Sequence, residues 1–254
     1  MALFSRHRGF TLVESIITVA ILAVVAALLF SAFGMVKRRS LDSKCVLNLR
    51  QLGMAGIQFA ADNKGRLPYR SDWASATNSK TSLLPYLGFN LRKSGDPELL
   101  QPTVLTCPAT LGSKVASDTE FYRTYSINQY ATGSGGDDTW DSQVRARGAP
   151  LKIGNIPQAA KQAFFMDGTL LPSGTGYRYS THQAPDRIAP LTNDWPGTPG
   201  TRTPFVHRGY INVVFLDGHV EMVSEQRAKE ELVGNTNGNV KDSTRTHPFW
   251  GATK

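Results

Sequence analysis

Between Ser15 and Val36 the chain carries no charged residue, and Ile, Leu, Val, Ala, Phe and Met fill nearly every position. At about 1.5 Å rise per residue, a helix over residues 10–36 reaches roughly 40 Å, more than a ~30 Å hydrocarbon core requires. Length and apolarity therefore predict a membrane-spanning helix that crosses with some tilt. Beyond Val36 the pattern changes without breaking. Leu41, Cys45, Leu49, Leu52, Gly56 and Phe59 recur every three or four residues among polar neighbours, which predicts an amphipathic continuation packing its stripe on a sheet. Asp62-Asn63-Lys64-Gly65 is a C-cap and turn signal, and Leu67-Pro68-Tyr69 ends the helix. One helix of roughly 50 residues thus runs from Phe10 to about Asp62. Gly34, Gly53 and Gly56 read as weak points in it, each costing up to about 1 kcal/mol relative to Ala.

Past the helix, periods shorten. Residues 66–110 read as mostly irregular, with a short helix around residues 82–87 and a short strand at Val104-Leu105-Thr106-Cys107-Pro108. Tyr122, Tyr125, Ile127 and Tyr130 mark a β-prone stretch before a Gly/Ser/Asp loop at residues 133–138, and Ala163-Phe164-Phe165-Met166 is an apolar strand closed by Asp167-Gly168. Residues 169–204, rich in Gly, Pro, Thr and Ser, predict a long surface excursion. Residues 210–222 read as a β-hairpin on Asp217-Gly218, a type I′ turn with Leu216 opposite His219 and Phe215 opposite Val220. Alternation then places Val213, Phe215, Val220 and Met222 toward the long helix, and Val214, Leu216, His219 and Glu221 away from it. A short helix is expected over residues 224–233, and Phe249 and Trp250 should dock on the domain, since an exposed aromatic pair at a free end invites aggregation.

The fold class that follows is α+β, a long N-terminal helix packed on a C-terminal antiparallel sheet, with a single globular domain over residues 63–254. The net charge of +8 raises the question of nucleic acid, but phosphate binding needs a focused patch. Here Lys37, Arg38, Arg39, Lys44 and Arg50 cluster next to the apolar span and the other basic residues are scattered, so the cluster suits lipid headgroups. Two cysteines, Cys45 and Cys107, read equally as one bridge, tying the helix to the domain, or as two buried thiols; no Cys-x-x-Cys and no zinc-like spacing occurs.

One residue does not fit an ordinary anchor: Glu14 lies inside the apolar segment, where an ionised side chain is costly and needs a partner or a function. Its setting is Arg6-His7-Arg8-Gly9-Phe10-Thr11-Leu12-Val13-Glu14, and this stretch resembles the type IV pilin and type II secretion pseudopilin superfamily, whose leader ends in Gly before Phe-Thr-Leu-x-Glu. The resemblance implies a leader over residues 1–9 and cleavage between Gly9 and Phe10 by a prepilin peptidase that also methylates the new amine. It further implies a span over 10–36, an amphipathic half over 37–62, and assembly through Glu14 pairing with the neighbouring subunit's Phe10 amine. The expected partners are that peptidase, other pilin or pseudopilin subunits, the inner-membrane assembly platform and lipid. The expected location is the inner membrane, single-pass, with the domain periplasmic or displayed on an extracellular filament. Basic residues flank both ends of the span, against the positive-inside rule, and the leader decides the orientation. The bland rivals are an uncleaved anchor or a secretory signal cut near Ala26-Ala27.

His207 precedes Asp217-Gly218 by nine intervening residues, which resembles the H-x9-DG domain of many prepilin-type proteins, and Cys107-Pro108 and Tyr125-Ser126-Ile127-Asn128 look like further pieces of that family. The motif implies no known chemistry. A metal site on His207, Asp217 and His219 is disfavoured, because the hairpin puts Asp217 at its tip and His207 at its far end. No cofactor is expected, with one minority reading: major pseudopilins similar to this chain hold Ca²⁺ in a loop, and Asp137, Asp138, Asn193 and Asp194 are the candidate ligands. No Gly-x-Ser-x-Gly, His-Glu-x-x-His or phosphate-cradling loop occurs, which argues against an enzyme. The expected function is a structural subunit of a type II secretion pseudopilus or a type IV pilus. The alternative is a minor tip subunit binding DNA, a surface or a secreted substrate.

Overall fold

The computed structural model describes residues 11–69, 73–78, 80, 82–110, 122–128, 152–156, 158–173, 176–180 and 207–227. The protein is α+β: one long N-terminal helix and a four-stranded antiparallel sheet. Two compact units share the chain, Met1–Leu41 and Asp42–Lys254.

Helix α1 runs Leu12–Asp62. In the first unit its large apolar side chains are exposed, with Phe30 at 81%. In the second unit Cys45, Leu49, Leu52, Ala55, Phe59 and Ala60 are buried, the three-and-four spacing written in the sequence. The helix ends where Lys64 and Gly65 both take left-handed φ values of 57° and 79°, and Gly65 N–H donates to Ala60 O at 2.7 Å. Gly53 and Gly56 are close-approach points rather than weak ones. A Cβ on Gly53 would stand 2.6 Å from Val214 Cγ2, and one on Gly56 would stand 2.3 Å from Phe164 Cε1.

The sheet has the order β1-β2-β5-β6, from β1 (Tyr125–Ile127), β2 (Ala163–Asp167), β5 (Tyr210–Phe215) and β6 (Val220–Ser224). Trp73 packs edge-on to Phe165, ring centroids 5.1 Å apart, and Phe59 edge-on to Tyr86. Of these, the buried Trp73, Phe165 and Phe59 each contribute about 1.5–3 kcal/mol, with Tyr86 partly buried beside them. Residues 169–180, expected as loop, instead form a separate antiparallel pair, β3 (Thr169–Ser173) and β4 (Gly176–Ser180), with Leu170 opposite Tyr179 and Pro172 opposite Tyr177. Thr169, Tyr177 and Tyr179 are β-favouring residue types in that stretch. The stretch expected as a strand at 104–108 is a turn leading into a 3₁₀ turn, Pro108–Thr110. Hydroxyls take up its backbone: Thr106 Oγ1 accepts from Thr103 N–H, Thr103 Oγ1 from Leu105 N–H and Thr124 Oγ1 from Cys107 N–H. Of the helix expected over 224–233, one turn, α2 (Glu225–Arg227), lies among the described residues. The 133–138 loop, residues 181–204, Asp137, Asp138, Asn193, Asp194, Phe249 and Trp250 lie outside them.

The hairpin forms, but one residue out of the expected register. Val214 faces Val220 and Val213 faces Glu221, Phe215 N–H donates to His219 O, and the loop is therefore Leu216-Asp217-Gly218. Only Gly218, φ 89°, is left-handed; Asp217 is not, so the two-residue type I′ turn is replaced by a three-residue turn with glycine at the left-handed position. Asp217 Oδ1 holds this shape by accepting from His219 N–H at 3.1 Å. A one-residue shift exchanges faces. The face that changes is that of β5: Val214 and Leu216 join the core shared with the helix, Val220 packs against that core as expected, and Met222 is half exposed.

Candidate functional site

Two constellations carry the chemistry, one in each unit. In the first, Thr11 precedes the helix and Glu14 lies in its first turn. Thr11 N–H and Oγ1–H donate to Glu14 Oε2 at 2.9 and 2.8 Å, and Glu14 N–H donates back to Thr11 Oγ1 at 3.3 Å. This is a capping box, Thr-x-x-Glu, which satisfies otherwise orphaned N–H groups at a helix start. The only charged side chain of the apolar segment is therefore held by its own cap within the single chain. Gly9 and Phe10, the expected processing pair, lie outside the described residues. α1 is the one described helix long and apolar enough to cross a membrane, on length and composition.

In the second unit His207 sits in the turn that enters β5, closed by its N–H donating to Tyr210 O, with Arg208 and Gly209 at φ 60° and 88°. That turn drives the imidazole inward until it is 1% exposed. Nδ1 lies 2.7 Å from Asp42 Oδ1 on α1, and Nε2 lies 3.3 Å from Asp167 Oδ2 at the end of β2. The ring thus donates one N–H to each of two carboxylates. Burial pushes its pKa down, but the hydrogen bonds and charges of Asp167 and Asp42 outweigh burial and raise it to about 9. His207 is an imidazolium at neutral pH, joining three elements distant in sequence.

Asp167 Oδ2 also accepts from Asn212 N–H at 2.6 Å, while its Oδ1 has no partner among the described residues. Cys45 and Cys107 form a disulfide beside the same His207 Nε2, with Cys107 Sγ 3.4 Å from it. Tyr125 closes the group, its hydroxyl donating to Cys45 O at 3.3 Å; burial first and the Asp167 charge second push its pKa far up. Asp217 and His219 form a separate pair at the hairpin tip, Oδ1 to Nδ1 2.5 Å, with His219 stacked on Phe215 at 4.4 Å. The H-x9-DG residues therefore split: Asp217 and Gly218 build a turn, and His207 builds a buried charge cluster. Sequence reasoning missed Asp42 and Asp167 altogether. Asp42 stands alone as an acid in a basic stretch and Asp167 follows an apolar strand, and neither feature points to His207.

The prokaryotic N-terminal methylation motif family matches residues 4–30. No curated protein and no solved structure matches the chain. A prepilin-type motif over residues 4–30, together with a long helix and an antiparallel sheet, supports a type IV pilin-like protein. More particularly, the motif supports a prepilin-type substrate of prepilin peptidase that assembles with other pilin subunits, and it is consistent with membrane anchoring.

Proposed function

We propose that the chain is a pilin-like subunit cleaved between Gly9 and Phe10, methylated on the Phe10 amine and held in the inner membrane by residues 10–36, with residues 63–254 as a periplasmic domain. It is then extracted into a type II secretion pseudopilus or a type IV pilus. The observation that carries this reading is the coincidence of the methylation motif over residues 4–30 with an exposed apolar helical segment in which Glu14 is capped, among the described residues, by Thr11. A local cap is exchangeable: the Phe10 amine of a neighbouring subunit would replace Thr11 as donor and add a charge that the cap lacks. In a low-dielectric helix bundle an unpaired carboxylate is expensive, so this pairing sets axial register.

The N-terminal peptide, isolated from membranes of cells with and without an active prepilin peptidase, tests processing by its mass. The reading requires N-methylated Phe10 only where the peptidase is active; a chain keeping Met1, or cut near Ala26-Ala27, overturns it. Glu14→Val tests assembly: membrane insertion should persist while filament incorporation falls, and filaments at normal yield would refute the pairing.

A further inference from the structure

Four side chains converge on one buried point beside His207. Cys45 Sγ, Cys107 Sγ and His207 Nε2 lie within 4.8 Å of one another, and Asp167 Oδ2 is 3.3 Å from the same Nε2. The two cysteines are bonded to each other, and a disulfide sulfur is no ligand for a hard or borderline cation, since it is the thiolate that binds metal. The chain is nevertheless synthesised with both as thiols. We propose that its dithiol form holds one zinc ion between Cys45, Cys107, His207 and Asp167, at the place later closed by the disulfide.

The donor geometry points this way. With zinc–sulfur bonds of about 2.3 Å and zinc–nitrogen and zinc–oxygen bonds of about 2.0–2.1 Å, a tetrahedral site has a nitrogen–oxygen edge of roughly 3.3 Å and a nitrogen–sulfur edge of roughly 3.5 Å. The observed edges are 3.3 Å from Nε2 to Asp167 Oδ2 and 3.4 Å from Nε2 to Cys107 Sγ. On reduction the two sulfurs, now bonded, must move apart by side-chain rotation to about 3.7 Å.

The surroundings match as well. His207 Nδ1 faces the Asp42 carboxylate at 2.7 Å, the carboxylate–histidine arrangement that fixes which ring nitrogen meets a metal. Asp167 is 2% exposed, and its Oδ1 is a buried acceptor with no partner among the described residues. Asp42, 28% exposed at its side chain, marks the side from which an ion enters. The step balances as Zn²⁺ displacing two thiol protons and the Nε2 proton of His207, three protons released and no electron transferred. Oxidation then requires metal release, because the same sulfurs cannot be both bonded to each other and ligating as thiolates.

The test uses the full chain in detergent, reduced with a phosphine that converts the disulfide to two thiols and is itself oxidised to its oxide, then titrated with Co²⁺ as a coloured stand-in. The expected result is one Co²⁺ per chain, with thiolate-to-metal charge-transfer absorption and tetrahedral d–d bands, displaced by equimolar Zn²⁺ and absent in the oxidised protein and in Cys45→Ser/Cys107→Ser. Asp42→Asn should keep the stoichiometry and weaken binding about 10- to 100-fold, as loss of an orienting carboxylate does. Two free thiols per chain without such absorption overturn the proposal. So does equal Co²⁺ affinity in Asp42→Asn and His207→Gln, which would mean adventitious thiol binding by a loosened chain.

Discussion

Replacing His207 by Gln removes a buried cation and leaves two carboxylates facing its place. Asp167 suffers most, because it is 2% exposed and, among the described residues, has one unpartnered oxygen already and would keep the Asn212 N–H alone. Removing one partner of a buried pair costs about 3–5 kcal/mol, since an uncompensated charge stays in low dielectric. A second route gives a similar size. The folded pKa of about 9 against an ordinary 6.5 corresponds to roughly 3 kcal/mol of preferential binding of the proton by the folded state. Because that pKa is raised, the contribution is fully present below about pH 6.5 and is lost as pH climbs through about 9. The groups facing the ring are Asp42 from α1, Asp167 from β2 and the non-titrating disulfide, with Tyr125 from β1 in the same group. Urea unfolding of the oxidised, detergent-solubilised protein, followed by the fluorescence of buried Trp73, measures the difference. His207→Gln should be about 3 kcal/mol less stable at pH 6, with the gap narrowing above pH 9. A gap under 1 kcal/mol at pH 6, or one that widens with pH, would refute the charge-cluster account.

Other changes probe other joints of the fold. Converting Cys45 and Cys107 together to Ala opens a loop spanning a sequence separation of 62 and should lower stability by about 4 kcal/mol in the chain-entropy model, read as a lower urea midpoint. Gly56→Ala should destabilise by about 1–3 kcal/mol despite the better helix propensity, because its Cβ would meet the Phe164 ring at 2.3 Å; unchanged or higher thermal stability would contradict the close approach. Gly218→Ala places a Cβ at φ 89° and should cost about 1–2 kcal/mol, whereas Gly218→Asn, a residue tolerant of that region, should recover part of the loss in the same melt.

Much of the architecture was legible because it is written in local periods. The apolar run, the amphipathic stripe of Cys45, Leu49, Leu52 and Phe59, the C-cap at Asn63-Lys64-Gly65 and the Asp217-Gly218 turn are all patterns within a few residues, and backbone geometry translates such patterns directly into helix, face and turn. The hairpin shows where that translation stops. Asp-Gly announces a turn, yet whether two or three residues form it depends on Asp217 φ, where the His219 contact acts, and the register turns the faces of the first hairpin strand over with it while Val220 keeps its place against the core. Gly53 and Gly56 read as helix defects until Val214 and Phe164 are seen pressed against them.

By itself the sequence determined the prepilin-type motif over residues 4–30, the length of the helix and the α+β order of elements, each of which depends on neighbours in the chain. Only the tertiary structure decided the interior chemistry. Asp42, Cys45, Cys107, Asp167 and His207 come from a helix, a turn, a strand end and a second turn, with Asp42 and His207 165 positions apart. No local rule couples residues so distant. They meet because the helix stripe, the sheet and the turn at His207 bury their apolar surfaces together, and the charges trapped at that junction must then satisfy one another.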